Sequence, residues 1–173
     1  KIFINAYLAM NYLEMGKLDD ALVEARRINE KYLKYRADED SQYSLNPFSK
    51  YLSAVIWEAS RNFDDAYIAF ADTYKIAPQT PGLEADLIRT AKLARRMDTY
   101  QMWKKKFPHV QESPDWYDSK QAELILIFQQ GWGPRKVSLH GNKFPSLQGV
   151  YSQTQKARLE IKQKLYPTER VYN

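Results

Sequence analysis

A chain of 173 residues suits one domain, or a repeat domain with a small appendage, and can bury a core without a metal or disulfide staple. It contains no cysteine, which excludes thiol nucleophiles, cysteine-ligated zinc and disulfides together. The net charge of +5 is concentrated in residues 92–106 and 135–173, and no apolar run approaches the roughly 20 residues that span a bilayer.

Residues 2–15 place Ile2, Phe3, Ala6, Leu8, Ala9, Tyr12 and Leu13 at helical spacing, and the run closes at Gly16. Asp19 or Asp20 is expected to cap a second helix over about 19–35, with the stripe Leu22, Ala25, Ile28, Tyr32 and Leu33. The polar run 36–46 reads as a loop. Asn46 as cap and Pro47 in the first turn open a helix over about 47–60 that carries Phe48, Tyr51, Leu52, Val55, Ile56 and Ala59. Arg61-Asn62 break it, with Asn the residue that tolerates a left-handed backbone. A helix over about 64–76, a PQTPG turn at 78–82, a helix over 83–96 through Leu83, Leu87, Ala91 and Ala94, and a short helix over 98–106 follow.

The period then changes. AELILIF (122–128) is short, apolar and β-branched, and RKVSL (135–139) alternates, so a hairpin turning at Gly131 and Gly133 is expected. LEIKQKL (159–165) reads as a strand, with a basic terminal helix as the alternative.

KLDDA (17–21) and NFDDA (62–66) recur 45 residues apart. In register on Ala21 and Ala66, the residues Leu8, Ala9, Tyr12, Gly16 and Leu18 face Ser53, Ala54, Trp57, Arg61 and Phe63. This resembles the tetratricopeptide repeat, in which small residues let paired helices approach and aromatics fill the gap between them. Ala91, Met97 and Tyr100 mark a degenerate third block. The chain opens inside an apolar periodic segment, IFINAYLAMNYL, so an upstream part supplying a further helix pair is expected.

The order NPF (46–48), DDAY (64–67) and ELILIF…GPRK (123–136) is similar to that of a largely uncharacterised family of tetratricopeptide-like lipoproteins of Gram-negative envelopes. The resemblance implies helical repeats joined to a short β-segment, periplasmic exposure and a lipid-bearing Cys upstream of Lys1. It carries no catalytic residues. The fold class expected is α+β and mostly α. A repeat domain would cover 1–108, with repeats at about 4–35, 47–78 and 83–107, and a linker with a small β-rich segment would cover 109–173.

No catalytic set is visible. His109 and His140 stand in separate loops without a second ligand at metal spacing, and GWGP (131–134) is too short to cradle a phosphate. The Asp pairs open helices, where carboxylates serve backbone N–H groups and the helix dipole. No cofactor or metal is expected. The first helix of each block should line a concave face, through Met10 and Glu14, then Tyr51, Val55 and Glu58, then Arg89 and Lys92. An apolar floor with charged flanks suits a protein or peptide partner. The alternative is a nucleic acid or other anionic polymer held by the basic 92–106 and C-terminal segments, where Trp103, Lys104, Lys105, Lys106 and Phe107 mix cations with aromatics. Trp103 is expected to pack on the preceding helix instead.

Overall fold

The computed structural model describes residues 2–37, 46–118 and 120, the isolated positions Ile125 and Ile127, and the backbone of 135–137, 146–148, 159–161 and 164–166. The chain forms two compact units, Lys1–Gln121 and Ala122–Arg170. In the first lie six helices: α1 Ile2–Glu14, α2 Leu18–Ala37, α3 Pro47–Ala59, α4 Phe63–Ile76, α5 Leu83–Leu93 and α6 Met97–Lys106. A short 3-10 turn at Pro114–Tyr117 follows.

The helices pack as three successive pairs, and α2 also lies on α3 and α4 on α5. Small residues set the spacing. Ala6 and Ala9 of α1 and Ala21 and Ala25 of α2 are buried, as are Ala54, Ala66 and Ala69 of the next pair and Ala91 of the third. A methyl at these positions lets helix axes approach closely, and larger groups then fill the space beside them: Ile28, Leu52, Ile56, Phe70, Leu87 and Ile88, all essentially inaccessible. The first helices also touch one another, α1 against α3, while Tyr51 on α3 reaches Asp86 on α5.

All three pairs are joined by one turn. The N–H groups of Gly16 and Lys17 donate to the carbonyls of Leu13 and Tyr12, those of Arg61 and Asn62 to Glu58 and Trp57, and those of Arg95 and Arg96 to Lys92 and Ala91. This pattern ends a helix with one left-handed residue. That residue is Gly16 (φ 69°), Arg61 (φ 61°) and Arg95 (φ 57°) in turn. The left-handed position in the second turn is thus Arg61, and the expected Asn62 has an ordinary φ of −85°. The acceptors Tyr12, Trp57 and Ala91 are 45 and 34 residues apart (57 − 12; 91 − 57), the register read from the sequence. The third block, degenerate in sequence, forms the same helix pair.

The Asp pairs are not the caps. Asp19 and Asp20 lie in the first turn of α2, and Asp64 and Asp65 in that of α4. There they complement the positive end of the helix dipole, and no side-chain cap hydrogen bond opens α4. Asn46 does cap α3, its Oδ1 accepting from the Ser49 N–H at 2.8 Å. Phe3, Leu8 and Leu33, expected on buried stripes, are exposed, as is Ala59.

Residues 109–118 belong with the helices: Lys92 of α5 and Lys104 of α6 both bond Glu112. In the second unit β1 Arg135–Val137 pairs antiparallel with β2 Ser146–Gln148, and β3 Leu159–Ile161 with β4 Lys164–Tyr166. Most of the expected 122–128 strand and all of the GWGP turn lie outside the described residues. Ile125 and Ile127 are exposed and in no strand.

Candidate functional site

The seven residues expected to contact a partner divide into two groups. Tyr51, Glu58 and Arg89 are committed to one internal network. The Tyr51 hydroxyl donates to Asp86 Oδ2 at 2.8 Å, and Arg89 Nη2 donates to Glu58 Oε2 at 2.8 Å and Asp86 Oδ1 at 3.0 Å. The network ties α3 to α5. Burial, reinforced by the Asp86 charge, pushes the Tyr51 phenol well above its usual range, so it stays a donor. Tyr51 also packs edge-on against Phe70, at 5.4 Å between centroids.

Met10 and Val55 are half-buried and rest against the core, and Glu14 is exposed at the end of α1. Lys92 leaves 40 % of its side chain accessible but bonds Glu112. The helix-face pattern drew all seven from the first helices of the pairs, α1, α3 and α5. It could not tell a groove-lining charge from one paired across two helices, because Asp86 lies 35 residues from Tyr51 and its role depends on the packing.

A second network fills the joint between the first and second pairs. Lys50, only 3 % exposed, donates to Asn29 Oδ1 at 2.7 Å, faces Asp72 at 3.3 Å and lies 4.4 Å from the Tyr32 ring centre. Burial lowers its pKa, and the Asp72 carboxylate partly offsets this. In the first pair, Asn5 bonds Glu24 and Lys31. Buried charges in this array are paired, as desolvation requires.

The third network is the most open to solvent. Glu112 Oε1 accepts from the Tyr100 hydroxyl at 2.7 Å and faces Lys104 Nζ at 2.9 Å. Its Oε2 accepts from the Tyr117 hydroxyl at 2.7 Å and from Lys92 Nζ at 3.2 Å. Burial alone would push this carboxyl up, but the hydrogen bonds from Tyr100, Lys104, Tyr117 and Lys92 outweigh it and hold the pKa at about 2. The hydrogen bond to Glu112 in turn raises the Tyr100 phenol, and burial with the same bond raises Tyr117. Lys92 Nζ lies 5.4 Å from the Tyr100 ring centre and 4.1 Å from that of Tyr117. Glu112 and Tyr117 were not among the expected partner residues, and Lys104 was named only for the alternative anionic partner; the one signal for Glu112 is that it is the first carboxylate after the basic run 104–106.

The basic run 92–106 is largely occupied internally. Arg96 bonds Asp64 at 2.7 Å, and Lys106 Nζ lies 4.6 Å from the Tyr74 ring centre. Trp103 is buried, but its polar partner lies on α4 and not on the helix immediately before it: its indole N–H is 3.1 Å from the Tyr67 hydroxyl, while its ring stacks on Phe107 at 5.5 Å. Trp103 and Phe107 are thus buried, and Tyr100 is half-buried with Lys92 Nζ 5.4 Å from its ring centre.

His109 Nε2 faces Glu84 at 2.6 Å, and no group of three or more metal-ligating side chains occurs among the described residues. His140 and GWGP lie outside them. A cleft of about 330 Å³ runs between the second and third turns, lined by Arg61, Asp64, Asp65 and Arg95, away from the expected partner face. No helix among the described residues is long and apolar enough to cross a membrane. No family model, curated protein or solved structure matches the chain.

Proposed function

We propose that the chain is a non-enzymatic scaffold: a short tetratricopeptide-like solenoid, with a β-rich C-terminal part, that holds a protein or peptide of a bacterial cell envelope against its first helices. The observation that carries this reading is the threefold recurrence of one helix pair, since a stack of such pairs lays equivalent side chains in rows suited to an extended or helical ligand. Met10, Glu14, Val55 and Lys92 are the accessible members of the row. Tyr51, Glu58 and Arg89 act behind them by fixing α3 against α5. Periplasmic exposure with a lipid anchor belongs to the same proposal and rests on the resemblance to envelope lipoproteins.

A photo-crosslinking residue placed at Glu14 or Val55 should capture a partner in envelope extracts, while one at Ile68, exposed on α4, should not. Equal capture from all three positions, or none from Glu14 and Val55, overturns the assignment of the binding face.

A further inference from the structure

Glu112 is held the way a receptor holds a ligand. Each carboxylate oxygen has one phenol and one ammonium partner, at 2.7–3.2 Å. Three of the four donors sit on regular helices, Lys92 on α5 and Tyr100 and Lys104 on α6, and only Tyr117 travels with Glu112 on the segment that follows α6. We propose that Lys92, Tyr100 and Lys104 form a binding site for a carboxylate of an acidic partner segment, and that Glu112 occupies it in cis. This rests on the scaffold reading above and names the chemistry of the partner at Lys92.

Three features favour exchange over a permanent strut. The segment 108–118 contains no buried residue: His109, Gln111, Pro114, Asp115 and Asp118 are exposed, and Val110, Trp116 and Tyr117 are half-buried. The apolar surface lost when it lifts is that of three half-buried side chains, of which Val110 packs against the core. Lys92 also keeps one aromatic neighbour on the helices without the segment, its ammonium lying 5.4 Å from the Tyr100 ring centre, while the closer ring at 4.1 Å, Tyr117, leaves with Glu112. The charges do not cancel. Two ammonium groups face one carboxylate, which leaves the site positive and selects for acidic segments. The paired phenol and ammonium donors match the two oxygens of a carboxylate, whose hydrogen bonds to charged donors are the strong kind.

The segment itself supplies the probe. A fluorescently labelled peptide of residues 107–118 is titrated into the full chain carrying Glu112→Gln or, in parallel, Glu112→Ala, each verified by circular dichroism to keep its helices. Freed of the internal competitor, the variants should bind the peptide about 10-fold more tightly than the wild type or better. Binding should be lost when the peptide carries Gln in place of its Glu, and when Lys92→Met or Lys104→Met is added to the receiving chain. Variants that bind no better than the wild type overturn the proposal, as does a Gln peptide that binds equally well. Tighter binding of inorganic phosphate or a single-stranded oligonucleotide than of the peptide also overturns it, by assigning the site to phosphate. Crosslinking at Glu14 and Val55 reads the scaffold separately, so a failed titration with intact crosslinks sinks this site alone.

Discussion

Ile4 and Leu8 of α1 hold the register positions that Leu83 and Leu87 hold in α5, yet the first two are 62 % and 38 % exposed and the last two 0 %. Between them, the equivalent Ser49 and Ser53 of α3 are also fully buried, with Ser53 3.3 Å from Asn29 of α2. The difference is the neighbour. In α3 and α5 this face is covered by the second helix of the preceding pair, and among the described residues no helix covers it in α1. At the other end, segment 109–118 lies against α5 and α6 and is fastened by Glu112. An apolar stripe at helical spacing thus reports that a helix is built for stacking. It does not report whether the stack continues on that side.

The widest test of this contrast is a pair of identical substitutions. Leu87→Ala removes a fully enclosed side chain and should cost about 2–5 kcal/mol in urea unfolding. Leu8→Ala, at the same register position, should change stability by less than about 1 kcal/mol. Equal losses would mean that the two ends are not different in packing.

A smaller effect separates the Glu112 fastening from the apolar contacts. The Glu112 carboxyl has a folded-state pKa of about 2, below its ordinary value near 4.5. A depressed carboxylate adds stability that is complete above the unfolded pKa and declines as pH falls through the folded one. The advantage of wild type over Glu112→Gln, read as the difference in Tm, should therefore be constant from pH 7 to about 5 and shrink between pH 4.5 and 2. An advantage that grew on acidification would refute the assignment of Glu112 as the ionised partner.

The smallest expected effect concerns the turns. Arg61→Gly and Arg95→Gly place at the left-handed positions the residue that adopts them without Cβ strain, as Gly16 does already. Each should raise stability by about 0.5–1 kcal/mol, with the helices unchanged by circular dichroism. A loss would show that the arginine side chains contribute more than the strain costs.

Much of the helical array could be read from sequence because its signals are local. Helical periodicity, Pro47 in the first turn of α3, and the paired DDA strings each act within a few residues. The register of Ala21 on Ala66 was legible because both are small residues fully buried where paired helices approach, while the counterpart in the third pair, the half-buried Tyr100, breaks the pattern and made that block read as degenerate. Asn62 was misread as the left-handed residue because propensity favours Asn, whereas the bonds from Arg61 and Asn62 to Glu58 and Trp57 set the turn one position earlier. The candidate site was legible only in part. Tyr51 with Asp86, Glu58 with Arg89 and Lys92 with Glu112 are 35, 31 and 20 residues apart, and charge pairs at such distances follow from packing rather than from any local pattern.

The three turns within the pairs have one further consequence. Residues 15–17, 60–62 and 94–96 all join their helices with the same length and the same two bonds, whereas 38–46 and 77–82, which join one pair to the next, differ in length. Change in chain length is therefore admitted on only one edge of the array. Extra residues can be grafted there, at the junctions between pairs, without shifting any helix out of step, while one residue inserted on the opposite edge would rotate the second helix of a pair by about 100° and turn its alanine face away from its partner.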